Sequence, residues 1–282
     1  MNGKVKNNSF FFCIGCQKSG TTILARLLDQ HPDIACMWEA YFLNPSNPSS
    51  VFNLNSDAWS RHGYSEDDIK TWSSKVQSSN PFSISSRITH KIFGRFAFQM
   101  EPYKKAITEA LNDFASRCNV TVVGDKWPWY IDFIEQMLEA FPNAKYIYTV
   151  RDPRGIWNSA QKFKDRNRGD EVLNEMLLKD RRISPLLERD DFISVKYEDL
   201  ICNPNESCRK LYSFLGCDYS DDYLKYDKSR DPYPERWNWI PEASGKLDPE
   251  ITKKWQKKMS SEQIKTVSAS AKWFIEKYNY EI

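Results

Sequence analysis

A short polar turn between two apolar segments carries the residue types that bind an anion. The apolar run Phe10–Ile14 ends at Gly15, and the turn 16–22 reads Cys-Gln-Lys-Ser-Gly-Thr-Thr before apolar residues continue with helical spacing to Leu28. A strand, a glycine loop and a helix start bring backbone N–H groups and the positive end of the helix dipole to one place. The residues that we expect to hold the anion are Lys18, Ser19, Gly20, Thr21 and Thr22.

The order of these residues separates the turn from the nucleotide loop of kinases. A Walker loop reads G-x-x-x-x-G-K-[ST], with the lysine directly after the second glycine. Gly15 and Gly20 have that spacing, but Thr21 stands at the lysine position and the lysine lies inside the loop as Lys18. This difference disfavours a P-loop kinase or another phosphotransferase, which stays open as an alternative. The other alternative is an ordinary strand–helix turn that happens to contain glycine and threonine.

A second candidate anion contact is an arginine at the end of a predicted strand. The segment 144–159 is apolar up to Val150 and continues with Arg151-Asp-Pro-Arg, followed by Ser159 on the next predicted helix. Ligands of open parallel sheets bind at the carboxyl ends of the strands, and a guanidinium binds phosphate through paired hydrogen bonds. We expect Arg151 and Ser159 to bind one phosphate. The alternative is that Arg151 pairs with a carboxylate and Ser159 faces solvent.

These two segments resemble the phosphate motifs of sulfotransferases that use 3′-phosphoadenylyl sulfate (PAPS). The turn is similar to their 5′-phosphosulfate loop, and Arg-Asp-Pro-Arg with Ser159 is similar to their 3′-phosphate motif. Tyr197 lies in a Tyr-Glu-Asp-Leu element that resembles the one near the adenine. The resemblance implies PAPS as co-substrate, leaving as adenosine 3′,5′-bisphosphate, with no metal required. It also implies that Lys246 and Lys254 occupy the place of the family's C-terminal cofactor loop.

The resemblance is closer to the carbohydrate, protein-tyrosine and bacterial members than to the cytosolic phenol sulfotransferases. The phenol enzymes have a tryptophan directly after the two threonines, where this chain has Ile23. The segment Met37–Phe42 resembles one in which a glutamate is the base, which implies Glu39 as general base. The segment Gly124–Pro128 resembles a G-x-K-x-P element and implies Lys126 as a cation at the reaction centre.

The catalytic roles follow from the same resemblance, with alternatives. Lys18 would meet the charge on the leaving phosphate, and burial of Glu39 among aromatic neighbours would raise its pKa toward that of a useful base. A surface or salt-bridged carboxylate is the alternative for Glu39, and a plain ion-pair partner is the alternative for Lys126. His90 is the rival base, because Thr-His-Lys at 89–91 is the nearest counterpart of the histidine segment of the phenol enzymes.

Composition excludes several other functions. The chain has 282 residues with 40 basic and 38 acidic side chains, a formal net charge of +2, which argues against a nucleic-acid coat or a polybasic membrane patch. The longest apolar stretch near the start is far shorter than the roughly 20 residues of a membrane span. We expect a cytoplasmic protein or a trimmed chain. Seven cysteines fit reduced thiols better than a disulfide framework.

Strand-like and helix-like segments alternate along the chain, which predicts an α/β fold: a P-loop-like parallel sheet flanked by helices on both faces, in one domain over 1–282. The predicted strands are Phe10–Gly15, Ile34–Met37, Val120–Gly124, Tyr146–Val150 and Phe192–Lys196. The predicted helices are Thr21–Gln30, Ser65–Val76, Tyr103–Arg117, Tyr130–Phe141, Arg154–Phe163, Glu171–Glu188, Pro204–Leu215 and Ser261–Tyr278.

Two long loops with aromatic residues, about 41–63 and 219–246, are predicted to shape an acceptor site. We expect a small-molecule or glycan acceptor, with a natural-product tailoring enzyme first and protein tyrosine third, and neither nucleic acid nor membrane as partner. A nucleotide-binding relative without turnover is a further alternative. The sequence does not indicate an oligomeric state.

Overall fold

The protein is built around a five-stranded sheet. Its structure is a computed structural model, which describes residues 8–42, 62–79, 100–161, 167–225 and 246–281. The strands are β1 (Ser9–Gly15), β2 (Ile34–Trp38), β3 (Val122–Lys126), β4 (Lys145–Val150) and β5 (Phe192–Lys196). Their order across the sheet is β2-β3-β1-β4-β5, and every neighbouring pair is parallel. The predicted α/β class with a parallel sheet is confirmed.

Helices connect the strands and cover both faces of the sheet. The α-helices of the described residues are α1 (Thr21–Asp29), α2 (Glu66–Ser78), α3 (Met100–Cys118), α4 (Ile134–Ala140), α5 (Pro153–Ala160), α6 (Gly169–Ile183), α7 (Tyr197–Cys202), α8 (Pro204–Leu215), α9 (Lys254–Lys258), α10 (Ser261–Ser270) and α11 (Lys272–Lys277). Short 3₁₀ segments cover Pro128–Phe133, Ser184–Leu186, Asp221–Leu224 and Pro249–Lys253. No helix in the described ranges combines the length and the apolar character that crossing a bilayer requires.

The central strand β1 is apolar on both sides because both of its faces are covered. Successive strand residues point to opposite faces. Phe11 packs with residues of α1, α7 and α8, whereas Phe12 packs with residues of α3, α4, α5 and α6. Both phenylalanines are fully buried. This explains why the strand has a continuous apolar run rather than an alternating pattern.

The connections after β1 and β4 create a crevice at one edge of the sheet. These two strands are neighbours, with Gly15 beside Thr149. The chain leaves β1 for α1 on one face and leaves β4 for α5 on the opposite face. Ligands of open parallel sheets bind where neighbouring connections diverge in this way. The crevice therefore lies between the turn after Gly15 and the residues that follow Val150.

Several predicted boundaries are wrong, and one of them affects the site. Strand β3 ends at Lys126 rather than at Gly124, because the pairing with β1 and β2 carries two charged residues into the sheet. The predicted helix from Tyr130 to Phe141 is a 3₁₀ segment followed by α4, a distinction that apolar spacing does not make. The helix at Tyr197–Cys202 was not predicted, and the last predicted helix is interrupted at Ala271.

The close approach of β3 to β1 depends on Gly124, and we predict its replacement to be costly. A Cβ atom at Gly124 would lie 2.2 Å from the carbonyl oxygen of Phe11. Gly124→Ala should lower the free energy of unfolding by about 3 kcal/mol or more, the upper range for overpacking. Urea unfolding measures the loss. Gly216→Ala is the control, because its Cβ would meet nothing within 4 Å and only its φ of 84° opposes the change. An equal loss in the two variants would contradict the argument.

Candidate functional site

The turn after β1 folds back on itself and presents the start of α1. The backbone N–H and the hydroxyl of Ser19 both donate to the Cys16 carbonyl oxygen, at 3.2 and 2.8 Å. Lys18 and Gly20 have left-handed φ angles of 64° and 98°. A Cβ atom at Gly15 would lie 2.8 Å from the Ser19 hydroxyl, so the glycine permits this fold-back. The amides that begin a helix have no partner within the helix, and such an end favours the binding of an anion.

The residues at the ends of β4 and β5 meet on this turn. The Arg151 guanidinium donates to the Lys18 carbonyl oxygen at 2.8 Å. Its central carbon lies 4.1 Å from the centre of the Tyr197 ring. A Cβ atom at Gly20 would lie 2.4 Å from a carbon of the same ring. The structure thus brings together Lys18, Gly20, Arg151 and Tyr197, four residues that the sequence singled out in three separate segments.

A network of buried carboxylates supports Arg151. Asp152 begins α5, where its side chain accepts from the Arg154 backbone N–H at 2.8 Å and from the Arg154 guanidinium at 2.9 and 2.7 Å. The Asp152 backbone N–H donates to Glu198 at 3.1 Å, and the hydroxyl of Tyr280 donates to the other Glu198 oxygen at 2.9 Å. Burial raises the pKa of Glu198, and the charge of Arg151 partly offsets this.

The arginine of this segment that forms an ion pair with a described residue is Arg154 and not Arg151. Within the described ranges, Asp152 pairs with Arg154, and no carboxylate forms an ion pair with Arg151. The Arg154 guanidinium also donates to the Glu281 carbonyl oxygen at 2.6 Å and lies 4.2 Å from the centre of the Trp255 ring. Sequence reasoning missed Tyr280 and quoted Trp255 only beside Lys254, because no local pattern connects either residue with the Arg-Asp-Pro-Arg segment.

The second half of the site is an ion pair at the ends of β2 and β3. Glu39 directly follows β2, and its carboxylate lies 2.6 Å from the Lys126 ammonium. The Tyr41 hydroxyl donates to the other carboxylate oxygen at 3.0 Å. The Lys126 side chain is 4% exposed and that of Glu39 is 22% exposed. The two candidate reaction-centre residues are therefore partners of each other.

The sheet places the two halves side by side. Cys13 of β1 pairs with Lys126 of β3, so the anion turn and the Glu39–Lys126 pair leave adjacent strands at the same edge. Neighbouring strands lie about 4.8 Å apart. The Lys126 ammonium also lies 5.2 Å from the centre of the Trp38 ring, and the Trp127 ring lies 5.2 Å from that of Tyr41. The edge thus combines the turn at the start of α1, a carboxylate with its cation, and aromatic side chains of which Trp38 and Trp127 are buried.

A fully buried carboxylate lies behind the Glu39 segment. Asp125 precedes Lys126 in β3 and accepts hydrogen bonds from the Ala40 backbone N–H, at 3.1 and 3.2 Å, and from the Tyr130 hydroxyl at 2.5 Å. Burial raises the pKa of Asp125 to about 7, although both hydrogen bonds and the charge of Lys126 lower it. Sequence reasoning quoted this residue within the Gly124–Pro128 segment but gave it no role.

The other predicted site residues that the structure describes differ in how far they are buried. Thr21 begins α1 and is buried, whereas Thr22 beside it and Ser159 on α5 are half-buried. Lys246 and Lys254 are exposed, and Lys254 is next to Trp255. His90 lies outside the described residues, as does most of both predicted acceptor loops. Among the described residues no group of three or more His, Cys, Asp or Glu side chains could hold a metal ion.

Comparison with known proteins identifies a family. Residues 11–221 match the family model described as "Sulfotransferase family". The chain is 25% identical over 237 residues to protein-tyrosine sulfotransferase A of Caenorhabditis elegans, covering 80% of this chain and 55% of that protein. It is 29% identical over 142 residues to omega-hydroxy-beta-dihydromenaquinone-9 sulfotransferase Stf3 of Mycobacterium tuberculosis, covering 45% of this chain and 36% of that one. The chain thus spans about half, or less, of the length of these curated relatives.

Solved structures show the same fold at low sequence identity. The sulfotransferase domain of the Synechococcus PCC 7002 olefin synthase has a TM-score of 0.59 and 20% identity, over 100% of this chain and 98% of that one. The sulfotransferase domain from the curacin biosynthetic pathway has a TM-score of 0.58 and 16% identity, over 94% and 98%. At such identities the likeness extends to the architecture of sheet and helices.

The raised pKa of Asp125 predicts how stability depends on pH. An unfolded aspartate titrates near pH 3.9, about three units below the folded value. Because the folded state holds this proton more tightly, the stabilisation is complete below pH about 4 and is lost as the pH rises to about 7. Asp125→Asn removes this titration. The free energy of unfolding of the wild type, relative to the variant, should fall by a few kcal/mol in order of magnitude between pH 4 and 8. Urea unfolding measures it, and a constant difference would contradict it.

Proposed function

This chain belongs to the sulfotransferase family, and on that premise we propose that it transfers a sulfuryl group from PAPS to a hydroxyl group of its acceptor. The observation that carries the proposal is the contact of Arg151 with the Lys18 carbonyl oxygen. It joins a guanidinium, the fork that suits a phosphate, to a turn that suits a second phosphate. A nucleotide with phosphates at both its 3′ and 5′ positions would place one phosphate at each of these two contacts.

The residues present fit such a nucleotide. In the proposal, the amides of the turn with Thr21 and Thr22 hold the 5′-phosphate, and Arg151 and Ser159 hold the 3′-phosphate. Tyr197 lies beside the adenine; its ring already borders the turn, because Gly20 has no Cβ to displace it. When bound, PAPS supplies the activated sulfuryl group. Lys246 and Lys254 stay proposed contacts of the same nucleotide.

The chain's own groups supply proton transfer and charge. Glu39 accepts the proton of the acceptor hydroxyl, and Lys126 holds the carboxylate in place through the 2.6 Å ion pair. Lys18 is the cation near the phosphate that departs. Sulfuryl transfer resembles phosphoryl transfer in needing position and charge stabilisation more than covalent help. Lysines and backbone amides therefore take the role that Mg²⁺ has in kinases.

The acceptor that we propose is a small molecule with a hydroxyl group on an apolar or aromatic framework. Trp38 and Tyr41 contact the Glu39–Lys126 pair, and Trp127 packs against Tyr41. These aromatic neighbours favour such a framework. A tyrosine side chain of a protein is the second candidate, because protein-tyrosine sulfotransferases of two animals match 77–80% of this chain. Glycans follow as a third class.

An acceptor screen with labelled PAPS tests the function. The panel contains a hydroxylated isoprenoid or polyketide, an acidic tyrosine peptide and an oligosaccharide, each with and without EDTA. We expect label on a small hydroxyl acceptor, with activity retained in EDTA. Loss of activity in EDTA, restored by Mg²⁺, together with transfer from ATP would support a phosphotransferase instead. Binding of adenosine 3′,5′-bisphosphate with no transfer to any acceptor would support a nucleotide-binding relative.

The 3′-phosphate contact predicts a selectivity. Adenosine 3′,5′-bisphosphate should bind much more tightly than AMP, because AMP lacks the group that Arg151 and Ser159 hold. Arg151→Ala removes a charge-assisted hydrogen bond and should weaken binding of the bisphosphate by about 1.5–3 kcal/mol in calorimetry. Arg189→Ala is the control, since that exposed arginine pairs with Asp191 at the opposite end of β5. Equal affinity of the wild type for the two nucleotides would contradict the assignment.

The base assignment predicts a loss of rate without a loss of cofactor. Glu39→Gln keeps the shape of the side chain but cannot accept a proton, so single-turnover transfer should slow by about 10²–10⁴-fold. Affinity for adenosine 3′,5′-bisphosphate should barely change. Lys18→Ala should reduce both, because Lys18 contacts a group present in ground state and transition state alike. His90→Ala is measured beside them, and if only this variant is inactive, the histidine is the base.

A further inference from the structure

The four residues after β2 adopt an alternating backbone conformation. Glu39 and Tyr41 have φ angles of 63° and 56°, in the left-handed region, although both carry side chains. Residues with a Cβ atom seldom adopt this region, and they keep it only where the surrounding structure enforces it. We call the residues 39–42 the strap. Residues outside the strap must therefore hold it in this conformation.

Two buried side chains bind the strap at every second residue. The Asp125 carboxylate accepts from the Ala40 backbone N–H at 3.1 and 3.2 Å. The Tyr130 hydroxyl oxygen accepts from the Phe42 backbone N–H at 3.2 Å and donates its own proton to Asp125 at 2.5 Å. The left-handed residues, Glu39 and Tyr41, thus alternate with the two residues whose amides these side chains hold. The Glu39 amide donates instead to the Lys126 carbonyl oxygen, at 2.9 Å.

Side chains on both faces of the sheet bind the strap. Asp125 and Lys126 are consecutive in β3, so their side chains point to opposite faces. Asp125 binds the backbone of the strap, together with Tyr130, on the face that carries α3 to α6. Lys126 binds the Glu39 carboxylate on the other face, beside Trp38. Rotation of Glu39 out of its left-handed conformation would break the hold on the strap and move the carboxylate from Lys126.

We propose that Asp125 and Tyr130 are positioning residues, which hold Glu39 in the orientation that the transfer reaction needs. This inference rests on the proposed function, in which Glu39 accepts the proton. Both residues are fully buried, and their hydrogen bonds connect them to the strap and to each other, so they act through the strap. A buried carboxylate is costly unless its hydrogen bonds are satisfied, and here the strap and Tyr130 satisfy them.

Tyr130→Phe with Tyr146→Phe as a matched control tests the proposal. Tyr146 is also fully buried, and its hydroxyl donates to the carbonyl oxygens of Met137 and Phe141, away from the strap. Each change therefore removes one buried hydroxyl. We expect Tyr130→Phe to slow single-turnover transfer by about 10–100-fold, as misplacement of a reacting group does. Affinity for adenosine 3′,5′-bisphosphate should not change, and Tyr146→Phe should keep the wild-type rate.

A double-mutant cycle separates positioning from loss of structure. In a Glu39→Gln background, Tyr130→Phe should cause no further slowing, because the group that it positions no longer accepts a proton. Additive slowing, or a rate equal to that of Tyr146→Phe, would overturn the proposal. Amide hydrogen exchange at Phe42 gives a readout without catalysis and should accelerate in Tyr130→Phe alone. Unchanged exchange in Tyr130→Phe would contradict the claim that Tyr130 holds the strap. A wild type that transfers no sulfuryl group would instead contradict the proposed function, and with it the role of Glu39.

Discussion

The hydrogen bond from Arg151 to the Lys18 carbonyl oxygen is the contact around which the site is organised. It crosses from the connection after β4 to the connection after β1, which leave the sheet on opposite faces. The Tyr197 ring from the end of β5 lies 4.1 Å from the guanidinium and next to Gly20 of the turn. Three strand ends are thereby fixed to one another. A guanidinium has five N–H groups, so Arg151 has donors besides the one that binds Lys18.

Buried carboxylates hold backbone at three places in this site. Asp152 binds the first turn of α5, Glu198 binds the Asp152 amide, and Asp125 binds the Ala40 amide. A carboxylate accepts several hydrogen bonds at once and can therefore fix loops that a sheet cannot pair. A donor from another segment offsets part of the cost of burial, although the pKa values of Asp125 and Glu198 stay raised. The same arrangement recurs on both sides of β1, which suggests a common way of building precise loops at the edge of an open sheet.

The sequence predicted that the turn after β1 and Arg151 lie at the ends of strands, because each follows an apolar segment. The resemblance to a family singled out Tyr197, and the binding roles of these residues stay predictions. In a parallel sheet the carboxyl ends of the strands lie at the same edge, so residues that follow neighbouring strands lie close together. The supports of the site were not predictable in this way. Tyr280 binds Glu198 across 82 positions, and Trp255 meets Arg154 with no shared local pattern. The end of β3 was missed because Asp125 and Lys126 are charged, and only their partners explain how a sheet accommodates them.

The contacts of Tyr280 and Glu281 have a consequence for the order of assembly during synthesis. The Arg154 guanidinium bonds to the backbone of Glu281, 127 positions later, and Tyr280 completes the partners of Glu198. Loops that close over such separations form late, because the entropy of bringing their ends together is lost before the contact is gained. The five strands have all left the ribosome well before residue 280 does. A nascent chain therefore passes through a stage in which all five strands are synthesised while the guanidinium of Arg154 and the carboxylate of Glu198 still lack these partners.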